Sequence, residues 1–262
     1  GMQFAPVGER VMIPHGDGVS LLDLRSGGLV RSPSTSLPRL NNSSWSADGL
    51  TFMLIAGDQA LNATSPVPAA DITVIDALTG TARAISAGVQ TARLSPSGAH
   101  VLTTQDDGLY IVDLTTDETW LAHALPDGAR YLNFIWSTTG DRLAVIVSEN
   151  LETDLLTIDL ATRNLRNLTA DITERPTIVA WSPDSERVAV IAGLMAQRVL
   201  YIMAHDGSDV QQVAAGNSGP LGQLWGVTWR PDSQTYTIQS GMIGLVDTSQ
   251  RSAKVHWQQT DG

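Results

Sequence analysis

Short apolar or alternating runs, separated by clusters of Gly, Pro, Asp and Ser, recur along the whole chain. Arg142-Leu143-Ala144-Val145-Ile146-Val147 and Arg187-Val188-Ala189-Val190-Ile191 typify them, and their length and β-branching favour strand over helix. Each run follows the same punctuation, an aromatic or large apolar residue and then a small polar turn. Six copies are found: Phe4-Ala5-Pro6-Val7-Gly8, Trp45-Ser46-Ala47-Asp48-Gly49, Leu94-Ser95-Pro96-Ser97-Gly98, Trp136-Ser137-Thr138-Thr139-Gly140, Trp181-Ser182-Pro183-Asp184-Ser185 and Trp229-Arg230-Pro231-Asp232-Ser233. Measured from the residue after the aromatic, they are spaced by 41, 49, 42, 45 and 48 residues. A further strand then closes on an aspartate at Asp23, Asp76, Asp113, Asp159 and Asp247, while the fifth copy has Ile202-Met203 and a displaced Asp206.

The turns suit their residues: Pro presets φ, Asp and Ser bond nearby backbone, and Gly accepts positive φ. The recurring order is strand, turn, strand, loop, strand, turn, strand, a four-stranded antiparallel meander. Such a meander cannot bury both faces alone, and repetition around an axis covers them. The expected fold is all-β, a six-bladed β-propeller with four antiparallel strands per blade. Residues 1–262 then form one domain, with blades at about 2–36, 40–87, 90–124, 131–170, 177–215 and 225–259. The first strand, near Gln3, and the last, Lys254 to Gln258, each complete their own blade, which predicts no strand exchange between the termini.

These repeats resemble those of the TolB-like propeller family, related to WD repeats, in which a Trp-Ser-Pro-Asp-Gly turn precedes a Leu-Ala-Phe-like strand and a Leu-Tyr-Val-x-Asp-like strand. Trp181-Ser182-Pro183-Asp184, Val188-Ala189-Val190 and Leu200-Tyr201-Ile202 match best. Leu94 in place of tryptophan and Thr138-Thr139 in place of Pro-Asp depart from the pattern. The resemblance implies fold more strongly than function, because related repeats serve in periplasmic interaction proteins, in lipoprotein propellers and as accessory propellers of serine peptidases.

Composition narrows the partners. With 16 basic and 27 acidic residues the formal charge is −11, which repels phosphate backbones, so nucleic acid is not expected. Cysteine is absent, which removes disulfides and thiolate metal sites. The longest apolar stretch, Val188 to Ala196, is far short of the roughly 20 residues that span a bilayer, and a soluble monomer is expected. The chain starts almost inside its first repeat. A leader removed upstream would place it in the periplasm or at the cell surface, and a chain without one in the cytoplasm.

In such a blade the first-to-second and third-to-fourth turns share one end. The second-to-third loops and interblade connections share the other. The first end carries regular Pro, Asp and Gly turns, and the second carries the variation in length, so binding is expected at the irregular end, around the mouth of the channel. Candidate contact residues are Trp225, beside the glycine-rich connection from Gly216; Arg130 and Tyr131; Arg175; and Asn62 in the long segment Gly57 to Asp71. An arginine beside an aromatic suits carboxylate or peptide recognition.

Signs of reaction chemistry are sparse. Glu149, Glu152 and Asp154, and Asp106-Asp107-Gly108, are oxygen-rich and make calcium the one candidate cofactor, but neither spacing matches a defined calcium loop and none is expected. The five histidines form no zinc-hydrolase spacing, and no Gly-x-Ser-x-Gly elbow is present. The expected function is non-enzymatic recognition of a protein or peptide on the irregular loop face. Two alternatives stand beside it: a propeller that binds, or with the help of a cation hydrolyses, a small molecule or carbohydrate, or an accessory or sensory domain of a larger protein.

Overall fold

In a computed structural model, the described residues are 2–15, 18–31, 43–56, 71–85, 89–194, 198–215, 226–239, 243–247 and 255–258. They form strands and turns with no helix, hence none long and apolar enough to cross a membrane. Sheet one contains β1 (Gln3–Phe4), β2 (Arg10–His15), β3 (Gly18–Asp23) and β4 (Leu29–Arg31). Sheet two contains β5 (Ser44–Trp45), β6 (Thr51–Ala56), β7 (Asp71–Asp76) and β8 (Ala82–Ile85), and sheet three β9 (Thr91–Leu94), β10 (His100–Gln105), β11 (Gly108–Asp113) and β12 (Thr119–Ala124). Sheet four contains β13 (Arg130–Trp136), β14 (Arg142–Glu149), β15 (Glu152–Asp159) and β16 (Asn164–Asn167). Sheet five contains β17 (Pro176–Trp181), β18 (Arg187–Ala192), β19 (Val199–Ala204) and β20 (Gln211–Ala215), and sheet six β21 (Gly226–Trp229), β22 (Thr235–Gln239), β23 (Ile243–Asp247) and β24 (Val255–Gln258).

Every sheet pairs four consecutive strands antiparallel, the first and last sheets included, so neither terminal strand is exchanged. The strands fall into two compact units, Gly1–Pro126 with sheets one to three and Asp127–Gly262 with sheets four to six.

In sheets two to five the second and third strands are largely buried on both faces, which is why their sequences read as nearly continuous apolar runs. In β18, Val188, Val190 and Ala192 pack with Ala144, Ile146 and Leu155 of sheet four, while Ala189 and Ile191 face Val227, Trp229 and Tyr236 of sheet six. The first unit repeats the device: Met12, Val19 and Leu21 meet Phe52 and Leu54, and Met53 and Ile55 on the other side meet Val101 and Val112.

The repeated polar residues hold the turns. The serine after the aromatic accepts the N–H of the residue opening the next strand: Thr51 to Ser46 at 2.9 Å, His100 to Ser95 at 3.0 Å, Arg142 to Ser137 at 3.0 Å and Arg187 to Ser182 at 2.9 Å. In the sixth copy Arg230 has no hydroxyl, and Asp232 accepts from the Thr235 N–H instead, at 2.8 Å. Among the described residues, the closing aspartates Asp23, Asp76, Asp113 and Asp159 cap the following turn. Hydrogen bonds from the N–H groups of Ser26 and Thr79 hold Asp23 and Asp76 below the usual carboxylate range. At Asp113 burial acts the other way and is outweighed by the N–H groups of Thr115 and Thr116.

Tryptophan and arginine join neighbouring sheets. Trp181 Nε1 donates to Ile135 O at 3.0 Å and Trp229 Nε1 to Ala180 O at 3.1 Å, in each case the carbonyl before the preceding copy's tryptophan. Arg10 and Arg142 lie opposite Asp23 and Asp159 in register and reach the next sheet's turn, donating to Gly49 O at 3.3 Å and Ser185 O at 2.9 Å. Gly49 and Ser185 hold the same fifth position of the turn, with φ of 66° and 63°. A Cβ at Gly49 would lie 2.7 Å from Val7 O, whereas Ser185 has room and its Oγ accepts the Thr139 N–H at 3.1 Å.

Candidate functional site

At the loop end of the second unit, two sheets present the same arrangement. Arg130 opens β13 opposite Ser148, next to the β14–β15 hairpin, and its side chain is exposed. Arg175 directly precedes β17; its side chain is exposed and its carbonyl accepts the Gly193 N–H at 2.8 Å, which ties it to the loop after β18. Both neighbouring strands shift register at their start, between Tyr131 and Asn133 and between Pro176 and Ile178. Bulges of this kind re-aim side chains beside functional surfaces.

Tyr131 points inward. It is 8% exposed, pairs with Val147 and packs its ring 5.3 Å from that of Phe134, because successive strand residues alternate faces. Trp225 and Asn62 lie outside the described residues, as does the segment Gly57 to Asp71 apart from Asp71 itself, which opens β7.

Two leucines that the sequence did not single out complete the arrangement. The β14–β15 hairpin turns through Asn150 and Leu151, with φ of 49° and 71°, and Glu149 pairs with Glu152 across its base. A turn with both central residues left-handed normally takes Asn-Gly; a leucine there costs about 1 kcal/mol. Leu151 is nevertheless 79% exposed. Leu194, after Gly193, is 65% exposed. Sheets four and five thus each carry an exposed leucine after the second strand and an exposed arginine at the start of the first: Leu151 and Arg130, and Leu194 and Arg175.

At the turn end the charged groups are engaged in joining sheets. A 210 Å³ cleft lies over Arg142, Asp159, Arg166 and His205. Arg142 meets Asp159 at 3.4 Å and Glu186 at 3.2 Å, and His205 Nε2 lies 3.6 Å from Glu186. An equivalent 400 Å³ cleft in the first unit includes Asp76 and Arg83, and Arg83 donates to Leu114 O at 3.3 Å. In the second unit Thr157 Oγ1 donates to the corresponding carbonyl, His205 O, at 2.8 Å.

A third cleft, of 460 Å³, lies between the connection leaving β16 and the face of β19. Tyr201, 9% exposed, donates its hydroxyl to Glu174 Oε2 at 3.1 Å, and Thr173 donates to the same oxygen at 3.3 Å. Burial, then the bond to Glu174, raises the Tyr201 pKa. Asp154, in the acidic hairpin read for calcium, accepts from Thr169 Oγ1 at 3.3 Å. Among the described residues no three His, Asp or Glu side chains are grouped to hold a metal ion.

The architecture defines a propeller-type, all-β protein built of four-stranded sheets. Solved structures agree in fold. The chain is similar to dipeptidyl peptidase 4 of Porphyromonas gingivalis, with TM-score 0.65 and 14% identity over 99% of this chain and 45% of that one. It is also similar to an oligogalacturonate lyase in complex with manganese, with TM-score 0.57 and 11% identity over 98% of this chain and 75% of that one. The Cps50 (Swd1) β-propeller domain of Myceliophteria thermophila gives TM-score 0.50 and 15% identity over 99% and 86%. The chain therefore spans less than half the length of the peptidase. No protein-family model matches the sequence, and no curated protein is significantly similar to it.

Proposed function

We propose that this chain is a TolB-like propeller whose six sheets are the blades of a single domain, and that it is a non-enzymatic module recognising a protein or peptide at its loop end. The observation that carries this reading is the repeated pair of exposed leucine and arginine, Leu151 with Arg130 and Leu194 with Arg175. Apolar side chains held in water at the loop end are anchors for a partner, and arginines near them add directional bonds to carboxylate or carbonyl groups. The left-handed Leu151 supports it further: the turn sacrifices stability to present a side chain that makes little contact with its own fold. The formal charge of −11 turns nucleic acid away. The module works as a monomer without a cofactor, exported if it is made with a leader. The resemblance to TolB-like repeats is the basis for choosing a protein partner over a sugar.

The test is crosslinked capture from the source organism with wild type, the Arg130→Ala/Arg175→Ala double variant and Trp225→Ala. A partner captured by wild type and lost from the double variant is expected. Equal capture by both proteins would reject the loop-end assignment, and failure of wild type to capture a partner would reject the protein-binding reading.

A further inference from the structure

From the 460 Å³ cleft between β16 and β19, we propose a pocket for one cationic side chain, a guanidinium or ammonium on an aliphatic stem, presented by a peptide segment of the partner. This rests on the protein-binding reading and names the chemistry that one part of the partner brings.

The volume lies in the range that takes a small ligand or a single long side chain. Part of the lining is apolar: Leu168 is 5% exposed, Ile172 is half-buried and Val210 is 50% exposed. Two carboxylates, Asp171 and Glu174, face the volume, and its lining includes no arginine, lysine or histidine. Glu174 is the organising group. The hydroxyls of Tyr201 and Thr173 both donate to its Oε2, which anchors that oxygen and leaves Oε1 with its lone pairs for another donor.

A carboxylate oriented in this way by a tyrosine that is itself nine-tenths buried is prepared before any ligand arrives, so little ordering is left for binding to accomplish. Lysine and arginine side chains match both halves of the lining, since their methylenes cover apolar surface while the charged head stays at its edge. Anionic ligands meet only like charge, and a wholly apolar one would strip water from Glu174 without replacing its hydrogen bonds. The protein's formal charge of −11 favours approach of the cation.

The experiment uses the full chain and fluorescein-labelled pentapeptides, Gly-Ser-Arg-Ser-Gly, its lysine counterpart and its citrulline counterpart, titrated by anisotropy at low salt. Saturable binding of the arginine or lysine peptide is expected. Citrulline, which keeps the shape and removes the charge, should bind at least tenfold more weakly, and Glu174→Gln should weaken the cationic peptide by a similar factor. Asp171→Asn, at an exposed position, serves as a second variant should Glu174→Gln fail to fold, and a several-fold loss is expected from it. Equal affinity for the citrulline peptide, or unchanged binding by Glu174→Gln, would overturn the pocket. No peptide binding at millimolar concentration, with a partner still captured through the leucine and arginine surface, would overturn the pocket alone and leave the protein-binding reading intact. Cationic peptide binding without any captured partner would retain the pocket and reject that reading.

Discussion

Tyr236 offers a quantitative test of how the repeat uses its core positions. It faces Trp229 across β21 and β22, their rings 5.2 Å apart and edge-on. The residues at the same place in the other sheets, opposite the aromatic or its replacement, are Val11, Phe52, Val101, Leu143 and Val188. All five are apolar, and Phe52 meets Trp45 in a similar tilted pair at 4.9 Å. Tyr236 is 0% exposed, and its hydroxyl has no hydrogen-bond partner among the described residues. Burying an unpaired hydroxyl costs about 1–3 kcal/mol, so Tyr236→Phe, which restores the pair found in sheet two, is expected to stabilise the protein by about 1–2 kcal/mol. For a chain of this size that is a rise in Tm of roughly 2–6 °C, measurable by calorimetry alongside a urea titration with unchanged slope.

The pH dependence carries a second signature of Tyr236. Burial raises its phenol above the ordinary value of 10.0, so from about pH 10 upward the unfolded chain releases a proton that the folded chain keeps. Its contribution to stability is therefore intact below pH 10 and declines above it, by up to about 1.4 kcal/mol per pH unit. Tyr236→Phe lacks this decline, and its advantage should widen above pH 10. A loss of more than about 0.5 kcal/mol in the phenylalanine variant at pH 7 would refute the reasoning, because it would mean that the hydroxyl has a partner worth keeping.

Substitutions at three further positions test the links between and within sheets. Arg142→Ala removes the bond to Ser185 O and the ion pairs with Asp159 and Glu186, and a loss of about 2 kcal/mol in urea unfolding is expected. Ser185→Ala and Ser185→Gly both delete the acceptor used by Thr139, but only glycine relaxes at φ of 63°, so the alanine variant should be the less stable by about 1 kcal/mol. Gly49→Ala would place a Cβ 2.7 Å from Val7 O in a left-handed turn, and a drop of about 2 kcal/mol or more in thermal or chemical unfolding is expected.

What the sequence made legible is what recurs. Six turns, their strands and the closing aspartates announced four-stranded sheets because packing between sheets demands the same residue type at the same place each time. The site was less legible. Arg130 and Arg175 could be placed at the loop end from connectivity, whereas Tyr131 beside Arg130 turned inward by the alternation of the strand. The pairing of Glu174 with Tyr201 joins residues far apart in the chain, and no local spacing encodes it. Leu151 and Leu194 read as ordinary apolar residues, since sequence alone does not distinguish a leucine in a core from one at a hairpin tip. One signal is present in the sequence, Asn150-Leu151 where a tight turn calls for Asn-Gly.

Leu151→Gly tests the central claim most directly, because stability and partner capture should move in opposite directions. Replacing a left-handed, 79% exposed leucine with glycine is expected to stabilise the protein by about 1 kcal/mol in urea while sharply reducing crosslinked capture of the partner retained by wild type. Stabilisation with undiminished capture would contradict the claim that this hairpin presents Leu151 for binding.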